Sequence, residues 1–164
     1  MDTTTFGIDA SKRCRRFAAV PYRIAERGIE FLLVRTGGGR HWTFPKGKKK
    51  DSKKKQQDKE KDWQAALRET EEEAGVTGEI DRHAFATYRF PSDGGKCDEH
   101  VVRAYLLRVT PGDVERRGDD AKREVRWVPP SEARALLGED RSPDYASSHA
   151  HVIDAAVERL GGAS

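Results

Sequence analysis

The sequence predicts an α/β (α+β) fold in which helices pack on a mixed sheet. Two observations support it. Strand-like and helical segments occur in the order β-β-α-β-β-β-α, which is typical of a mixed sheet with helices. The helix in the first half of the chain has a clear apolar stripe. The chain has 164 residues, so we predict a single domain spanning 1–164.

The predicted strands are runs rich in β-branched, aromatic and other apolar residues. Most of them end near Gly, Pro or a polar loop. They cover 16–25, 29–35, 76–82, 84–90, 101–109 and 124–128, together with a short apolar segment at 42–44 that stops at Pro45.

The strongest predicted helix covers 62–74. Its apolar stripe falls at i, i+3, i+4, i+7 and i+11 and consists of Trp63, Ala66, Leu67, Thr70 and Ala74. Asp62 is the predicted N-cap, and Gly75 stands where a left-handed helix end is expected. A short helix is predicted over 130–137 and a longer amphipathic one over 145–160.

Composition excludes several classes of protein. No apolar run is as long as a membrane span, so no membrane partner is expected. The first five residues lack the basic and apolar layout of a secretory signal. Cys14 and Cys97 are too few for a disulfide framework and lack the spacing of metal ligands. We therefore expect reduced thiols in a cytoplasmic protein.

The positive charge is concentrated in one segment. The chain carries a net charge of +3, but 46–61 holds nine lysines against three acids. This segment therefore carries +6 and the rest of the chain −3. Such a run is typical of a solvated loop, and it also suits contact with a polyphosphate or a nucleic acid.

The helix at 62–74 also concentrates carboxylates. Glu69, Glu72 and Glu73 lie at i, i+3 and i+4, on one face, where like charges repel. A divalent cation would turn this repulsion into coordination, and Mg²⁺ prefers hard oxygen ligands. When the glutamates are considered alone, a solvated acidic surface accounts for them better than a metal site does, because charged helix faces are usually just solvated.

The neighbouring residues carry a specific pattern. The stretch Glu60-x7-Arg68-Glu69-Thr70-x-Glu72-Glu73-x-Gly75-Val76 resembles the signature of the Nudix hydrolase family, Gly-x5-Glu-x7-Arg-Glu-U-x-Glu-Glu-x-Gly-U, where U is bulky and apolar. Lys54 stands where that pattern has its first glycine. Gly47, in Phe44-Pro45-Lys46-Gly47, resembles the family's glycine turn. The Lys-rich segment at about 48–59 is then an insertion before the helix.

The resemblance implies a Nudix-type α/β/α sandwich and a set of site residues. Glu69, Glu72 and Glu73 would hold the metal, Mg²⁺ or alternatively Mn²⁺, and one of them would instead orient or deprotonate water. Arg68 would brace these glutamates, and Glu60 would be structural. The backbone carbonyl near Gly47 would complete a metal site. Members often add a downstream carboxylate, for which the sequence leaves three candidates: Asp98, Glu99 and Glu124.

The resemblance extends to the substrate. Arg40-His41-Trp42 and Lys122-Arg123-Glu124 resemble diphosphoinositol polyphosphate phosphohydrolases, and the Pro-Lys-Gly turn also resembles diadenosine tetraphosphate hydrolases. We expect a metal-dependent pyrophosphohydrolase of dinucleoside or diphosphoinositol polyphosphates. The predicted phosphate contacts are four cationic side chains and one histidine: Arg15, Arg16, Arg40, Lys46 and His41.

Three other functions remain open from the sequence. They are the removal of oxidised nucleoside triphosphates, the removal of pyrophosphate from RNA 5′ ends, and nucleotide sensing by a non-catalytic Nudix-like domain. We expect a small polyphosphate as the partner, nucleic acid as a less favoured one, and either a monomer or a homodimer.

Overall fold

The computed structural model describes residues 12–50, 55, 59–92 and 94–161. Its strands are β1 (Arg13–Ala25), β2 (Gly28–Arg35), β3 (Trp42–Thr43), β4 (Lys46–Gly47), β5 (Gly78–Ile80), β6 (Ala86–Pro91), β7 (Glu99–Val109) and β8 (Val125–Val128). Its helices are α1 (Asp62–Ala74), α2 (Pro130–Gly138) and α3 (Pro143–Arg159), with a 3₁₀ turn at Gly118–Lys122. The first five residues and most of the Lys-rich insertion lie outside the described residues. Among the described residues, no helix is both long enough and apolar enough to span a bilayer.

The sheet is mixed, as predicted. Strands β1 and β7 lie side by side in parallel, with Cys14 opposite His100 and Tyr22 opposite Arg108. The other pairings are antiparallel: β2 and β4 with β1, β3 and β8 with β2, and β5 and β6 with β7. Because β1 and β7 are far apart in the chain, their pairing brings the first and the later strands into one sheet.

Helices cover both faces of this sheet. Successive strand residues point to opposite faces, and Ala18 and Ala19 of β1 accordingly enter two different apolar clusters. Ala18 packs in the cluster that includes Leu137 of α2 and Ile153 of α3. Ala19 packs in the cluster that includes Ala66 of α1. The predicted α/β/α sandwich is therefore confirmed.

Helix α1 begins and ends close to the predicted positions, with one correction. Its N-cap is Lys61 instead of Asp62, which is the first helical residue. The Gln64 side chain accepts a hydrogen bond from the Lys61 backbone N–H at 2.8 Å, so this donor is satisfied without Asp62. Gly75 ends the helix with φ of 71°, a left-handed conformation that glycine adopts without steric cost.

The two cysteines form a disulfide, so the expectation of reduced thiols is wrong. Cys14 and Cys97 are 83 residues apart, and their Cα atoms are separated by 5.7 Å. The parallel register places Cys14 opposite His100, three residues after Cys97, which brings the two sulfurs together. Sequence spacing does not contain this information. The cytoplasmic location stays a prediction without this support.

Candidate active site

The glutamate-bearing segment of the sequence folds as the second half of α1. Thr70 occupies an apolar position of the pattern and is fully buried. Its hydroxyl is satisfied there, because it donates to the Ala66 carbonyl at 2.7 Å. The helix therefore presents its apolar side to the sheet and its carboxylates along one edge. Glu73 is the most enclosed of the three, with a side chain 10% exposed, whereas that of Glu72 is 48% exposed.

Arg68 joins the acidic residues of this segment. Its Nε donates to Glu60 Oε2 at 2.7 Å and its Nη2 to Glu60 Oε1 at 3.0 Å. Its Nη1 donates to Glu69 Oε1 at 2.8 Å and lies 3.4 Å from the Glu72 carboxylate. Glu60 also accepts from the Lys50 backbone N–H at 2.8 Å. Arg68 therefore contacts Glu60, Glu69 and Glu72, and Glu60 links Arg68 to the backbone of the preceding loop.

The turn at Gly47 lies directly against the helix. Strand β4 pairs with β1, and the Lys46 backbone N–H donates to Glu73 Oε1 at 3.3 Å. A Cβ atom at Gly47 would overlap the Glu69 carboxylate. Only glycine therefore allows this close approach, and it leaves the Gly47 backbone beside the carboxylates.

Burial and neighbouring charges shift the pKa values of three site residues in opposite directions. Burial raises the pKa of Glu73 to about 7, although Arg123 and Lys46 oppose the shift. Burial lowers the pKa of Lys46 to about 8, with the Glu73 carboxylate opposing it. Burial also raises the pKa of Glu69, and the hydrogen bond from Arg68 counteracts it. Buried carboxylates of this kind are common at functional sites.

Arg123 and Arg116 connect the loop before β8 to α1. Arg123 Nη1 donates to Glu73 Oε1 at 3.2 Å. Arg116 Nη1 donates to the backbone carbonyls of Arg123 at 2.9 Å and of Glu73 at 3.3 Å. The sequence indicates Arg123 only as part of a three-residue resemblance and Arg116 not at all, because neither position carries a local signal.

The donor chemistry of this site fits a hard divalent cation. The candidate ligands are the three carboxylates and the Gly47 carbonyl, all of them oxygens. In the part of the chain that the structure describes, these glutamates do not converge on one point. The group of Cys14, Cys97 and His100, whose atoms lie within 4.8 Å of one another, contains both disulfide sulfurs and so offers no thiolate ligand. Arg68 pairs with Glu69, and Arg123 pairs with Glu73. Cationic side chains therefore supply the positive charge beside these two carboxylates.

The five predicted substrate contacts fall in two places. Arg40, His41 and Lys46 line a cavity of about 600 Å³ beside Glu73, together with Arg141 and Tyr145. Arg15 and Arg16 line a separate cavity of about 330 Å³. The structure therefore brings three of the five together in the cavity beside Glu73. Arg15 and Arg16 line the other cavity, although the charge of Arg16 still helps to lower the pKa of Lys46.

Arg141 is a cavity residue that the sequence did not indicate. The turn between α2 and α3 places Asp140 at φ of 58°, a left-handed conformation that is uncommon outside glycine. The next residue, Arg141, donates from Nη1 to the backbone carbonyls of Trp42 at 2.9 Å and of Leu137. Burial lowers the pKa of Arg141. A buried guanidinium at the cavity wall favours an anionic occupant.

The candidates for a downstream carboxylate have other partners. Glu99 pairs with Arg89 at 2.9 Å, Asp98 accepts from the Lys12 backbone at 3.0 Å, and Glu124 pairs with Arg35 at 3.5 Å.

Trp42 is 1% exposed and is a core residue. Trp127 is half-buried, and the Arg23 guanidinium lies 4.1 Å from its ring centroid.

A three-layer sandwich with this glutamate helix beside a glycine turn is the arrangement of Nudix domains. The NUDIX domain family model matches residues 12–152, and the chain belongs to the Nudix family. Nudix hydrolase 4 of Arabidopsis thaliana is 32% identical over 126 residues, covering 71% of this chain and 56% of the relative. The chain thus spans little more than half the length of that relative.

Solved structures share the fold. A Caenorhabditis elegans Ap4A hydrolase in a binary complex superposes with a TM-score of 0.63 at 25% identity, covering 91% of this chain and 98% of the other. The NUDIX domain of Shewanella oneidensis NrtR in complex with ADP-ribose gives a TM-score of 0.61 at 19% identity, covering 98% and 99%. The second likeness shows the fold alone.

Proposed function

We propose that this protein is a metal-dependent pyrophosphohydrolase that cleaves phosphoanhydride bonds of dinucleoside or diphosphoinositol polyphosphates. One observation carries the proposal. The buried Glu73 carboxylate, beside Glu69 and the Gly47 turn, adjoins a cavity lined by Arg40, His41, Lys46 and Arg141. A cationic cavity next to a set of oxygen ligands suits a substrate that carries several phosphates.

The positive side chains bind and orient the phosphate chain. Arg40 precedes β3 in the chain and Lys46 follows it, and both line the cavity together with Arg141 of the α2–α3 turn. Charge develops on the oxygens around the phosphorus during attack by water, and positioned cations stabilise that charge. Of the positive side chains in this cavity, only the arginines can form two parallel hydrogen bonds to one phosphate group.

The carboxylates have the other role. Glu69, Glu72, Glu73 and the Gly47 carbonyl would hold Mg²⁺ or Mn²⁺, and one of the glutamates would instead orient or deprotonate the attacking water. When bound, the cation neutralises phosphate oxygens and lowers the pKa of water. Arg68 keeps Glu69 in place while it is itself fixed by Glu60.

The resemblance to an Ap4A hydrolase supports the choice of substrate class. The test is incubation of the purified protein with Mg²⁺ and a panel of diadenosine polyphosphates, diphosphoinositol phosphates, nucleoside triphosphates and triphosphorylated RNA. We expect cleavage of the first two groups. Preferential cleavage of nucleoside triphosphates or of RNA would instead support pool cleaning or RNA 5′-end processing.

Two variants complete the test. Glu73→Gln removes a candidate ligand at nearly constant volume and is expected to lower kcat by at least about a hundredfold, on the scale of losing one key electrostatic contact. Glu132→Gln, on the exposed part of α2, is the matched control and should retain activity. If the wild-type protein cleaved no substrate of the panel, this result would contradict the enzymatic assignment and favour a sensing domain.

A further inference from the structure

A second cationic surface lies at the N-terminal end of the helix that carries the glutamates. A cavity of about 1130 Å³ opens at the N-terminal end of α1, and the cavity of about 330 Å³ that contains Arg15 adjoins it. Asp62, Thr87 and Arg103 line both. We call this continuous surface the basic groove. The cavity beside Glu73 has none of these residues in its lining.

The charged residues that line the basic groove are mostly positive. Six lysines and arginines line the larger cavity, and four line the smaller one, with Arg103 belonging to both. The acids that line the two cavities are Glu60 and Asp62. The basic residues are Arg13, Arg15, Arg16, Lys49, Lys50, Lys59, Lys61, Arg82 and Arg103.

The sheet explains why the arginines gather. Arg13, Arg15 and Phe17 alternate along β1 and point to one face, and Phe17 packs against α1 on that face. Arg103 lies opposite Phe17 in the parallel register with β7, and its neighbour Tyr105 packs in the same cluster. Where α1 stops covering this face, the sheet therefore presents arginines instead of apolar side chains.

The two acids leave most of this charge uncompensated. Glu60 is held by Arg68, which lies outside the groove. Asp62 pairs with Lys49 at 3.0 Å and with Arg103 at 3.4 Å. Arg15, Lys59 and Arg82 form no ion pair within 4.0 Å with a residue that the structure describes. A concave surface of one charge sign concentrates oppositely charged ligands.

Aromatic rings in the groove are not open to bases. The Arg82 guanidinium lies 4.6 Å from the ring centroid of Trp63, and Lys49 Nζ lies 5.5 Å from that of Phe17. Tyr105 is 3% exposed. Single-stranded nucleic acid is normally held by bases stacked on aromatic faces as well as by phosphate contacts. The groove offers the phosphate contacts without the stacking faces.

We propose that the basic groove is a binding site for a linear chain of phosphates without bases, of the inorganic polyphosphate class. The site is distinct from the cavity beside Glu73 and does not depend on the proposed hydrolysis. The Lys-rich insertion, which the catalytic proposal leaves without a role, contributes Lys49, Lys50 and Lys59 to its rim.

The test measures binding of inorganic polyphosphate by calorimetry, in EDTA so that no hydrolysis occurs and at about 0.15 M salt, where long-range attraction is screened. The groove variant is Lys59→Glu, Arg82→Glu and Arg103→Glu combined. The control variant is Arg27→Glu, Arg108→Glu and Arg117→Glu combined, all exposed residues outside the groove. Both variants change the net charge equally, and circular dichroism checks that both fold.

We expect the groove variant to bind polyphosphate at least about tenfold more weakly and with a shallower salt dependence, because fewer phosphate charges are neutralised. The control variant should stay within about threefold of wild type. Equal weakening of both, or no binding by the wild-type protein, would overturn the proposal.

Two further arms separate the alternatives. Oligouridylate RNA with the same number of phosphates should bind more weakly than polyphosphate; equal or tighter groove-dependent binding of RNA would overturn the choice of ligand. Glu73→Gln should bind polyphosphate as the wild-type protein does. Because loss of a carboxylate relieves repulsion of an anion, clearly tighter binding by that variant would place the chain in the cavity beside Glu73 and contradict a second site.

Discussion

Arg68 and Glu60 form a two-pronged ion pair, with Nε to Oε2 at 2.7 Å and Nη2 to Oε1 at 3.0 Å. Both side chains are at least 80% buried, and the pair raises the pKa of Arg68 and lowers that of Glu60. Because Arg68 also holds Glu69, the pair connects the loop before α1 to a candidate metal ligand.

Glu60→Gln should therefore destabilise the protein by about 1.5–3 kcal/mol, the range for hydrogen bonds to charged groups. Urea unfolding in metal-free buffer measures this change. Glu72→Gln is the matched control, because Glu72 is 48% exposed and lies 3.4 Å from Arg68. Its expected cost is below about 1 kcal/mol. Equal costs for the two variants would contradict a special role of the Glu60 pair.

Gly47→Ala should reduce activity by more than about tenfold, because its Cβ would displace the Glu69 carboxylate and misplacement of a catalytic group is costly. Steady-state kinetics with the preferred substrate of the panel gives the measurement. Gly138→Ala is the control. Its Cβ would meet Ala146 at an ordinary 3.7 Å, so activity should be unchanged. An active Gly47→Ala enzyme would show that Glu69 tolerates the displacement.

Arg141→Met should raise KM for a polyphosphate substrate and lower stability. It removes a cavity cation and leaves the Trp42 and Leu137 carbonyls without their donor, a loss of about 1–3 kcal/mol. Arg134→Met, which breaks an exposed pair with Asp154, should cost under about 1 kcal/mol and leave KM unchanged. A stability change in Arg141→Met without any change in KM would restrict Arg141 to a structural role.

His149 makes stability depend on pH. It is fully buried, its Nδ1–H donates to the Tyr145 carbonyl at 2.8 Å, and burial lowers its pKa to about 3. Since the unfolded imidazole has a pKa of about 6.5, only the unfolded chain takes up this proton between about pH 6.5 and 3. The His149 contribution to stability is therefore lost progressively as pH falls below about 6.5.

His149→Gln tests this dependence. Below pH 6, the unfolding free energy of the wild-type protein should fall relative to that of the variant by up to about 1.4 kcal/mol per pH unit. Other titrating groups affect both proteins equally. A constant difference from pH 7 to pH 4.5, or an NMR titration of His149 near pH 6.5, would refute a buried neutral histidine.

The Cys14–Cys97 disulfide closes a loop with a sequence separation of 83 residues. A loop of this size is expected to stabilise the fold by about 4 kcal/mol by restricting the unfolded chain. Thermal unfolding with and without a dithiol reductant measures the effect. The double variant Cys14→Ser, Cys97→Ser should melt at the same temperature in both conditions; sensitivity of that variant to the reductant would point to another cause.

Local patterns predicted much of the fold. The apolar periodicity of 62–74 and the glycine after it placed α1 almost to the residue. The β-branched and aromatic runs located the strands within a few residues of their observed bounds. These features depend on side chains one or two turns apart or on alternate strand positions, so neighbouring residues contain the information.

The candidate site was predictable only in part. A spacing pattern identifies the glutamates of α1 together with Arg68, and the Pro-Lys-Gly turn identifies Gly47, which does not fit that spacing. Arg141 contacts the Trp42 carbonyl across 99 residues, and Arg123 reaches Glu73 across 50. No spacing rule connects such pairs, because loop geometry and helix packing decide them.

The sequence alone determined that the positive charge of this chain is concentrated in one segment near an acidic helix. Tertiary structure decided how that charge is arranged. The parallel pairing of β1 with β7 joined the two cysteines. The alternation of strand residues between the two faces of the sheet placed Arg15 with Arg103 in the basic groove, away from Arg40, His41 and Lys46. Such a division requires strand register, which arises from contacts between residues far apart in the chain.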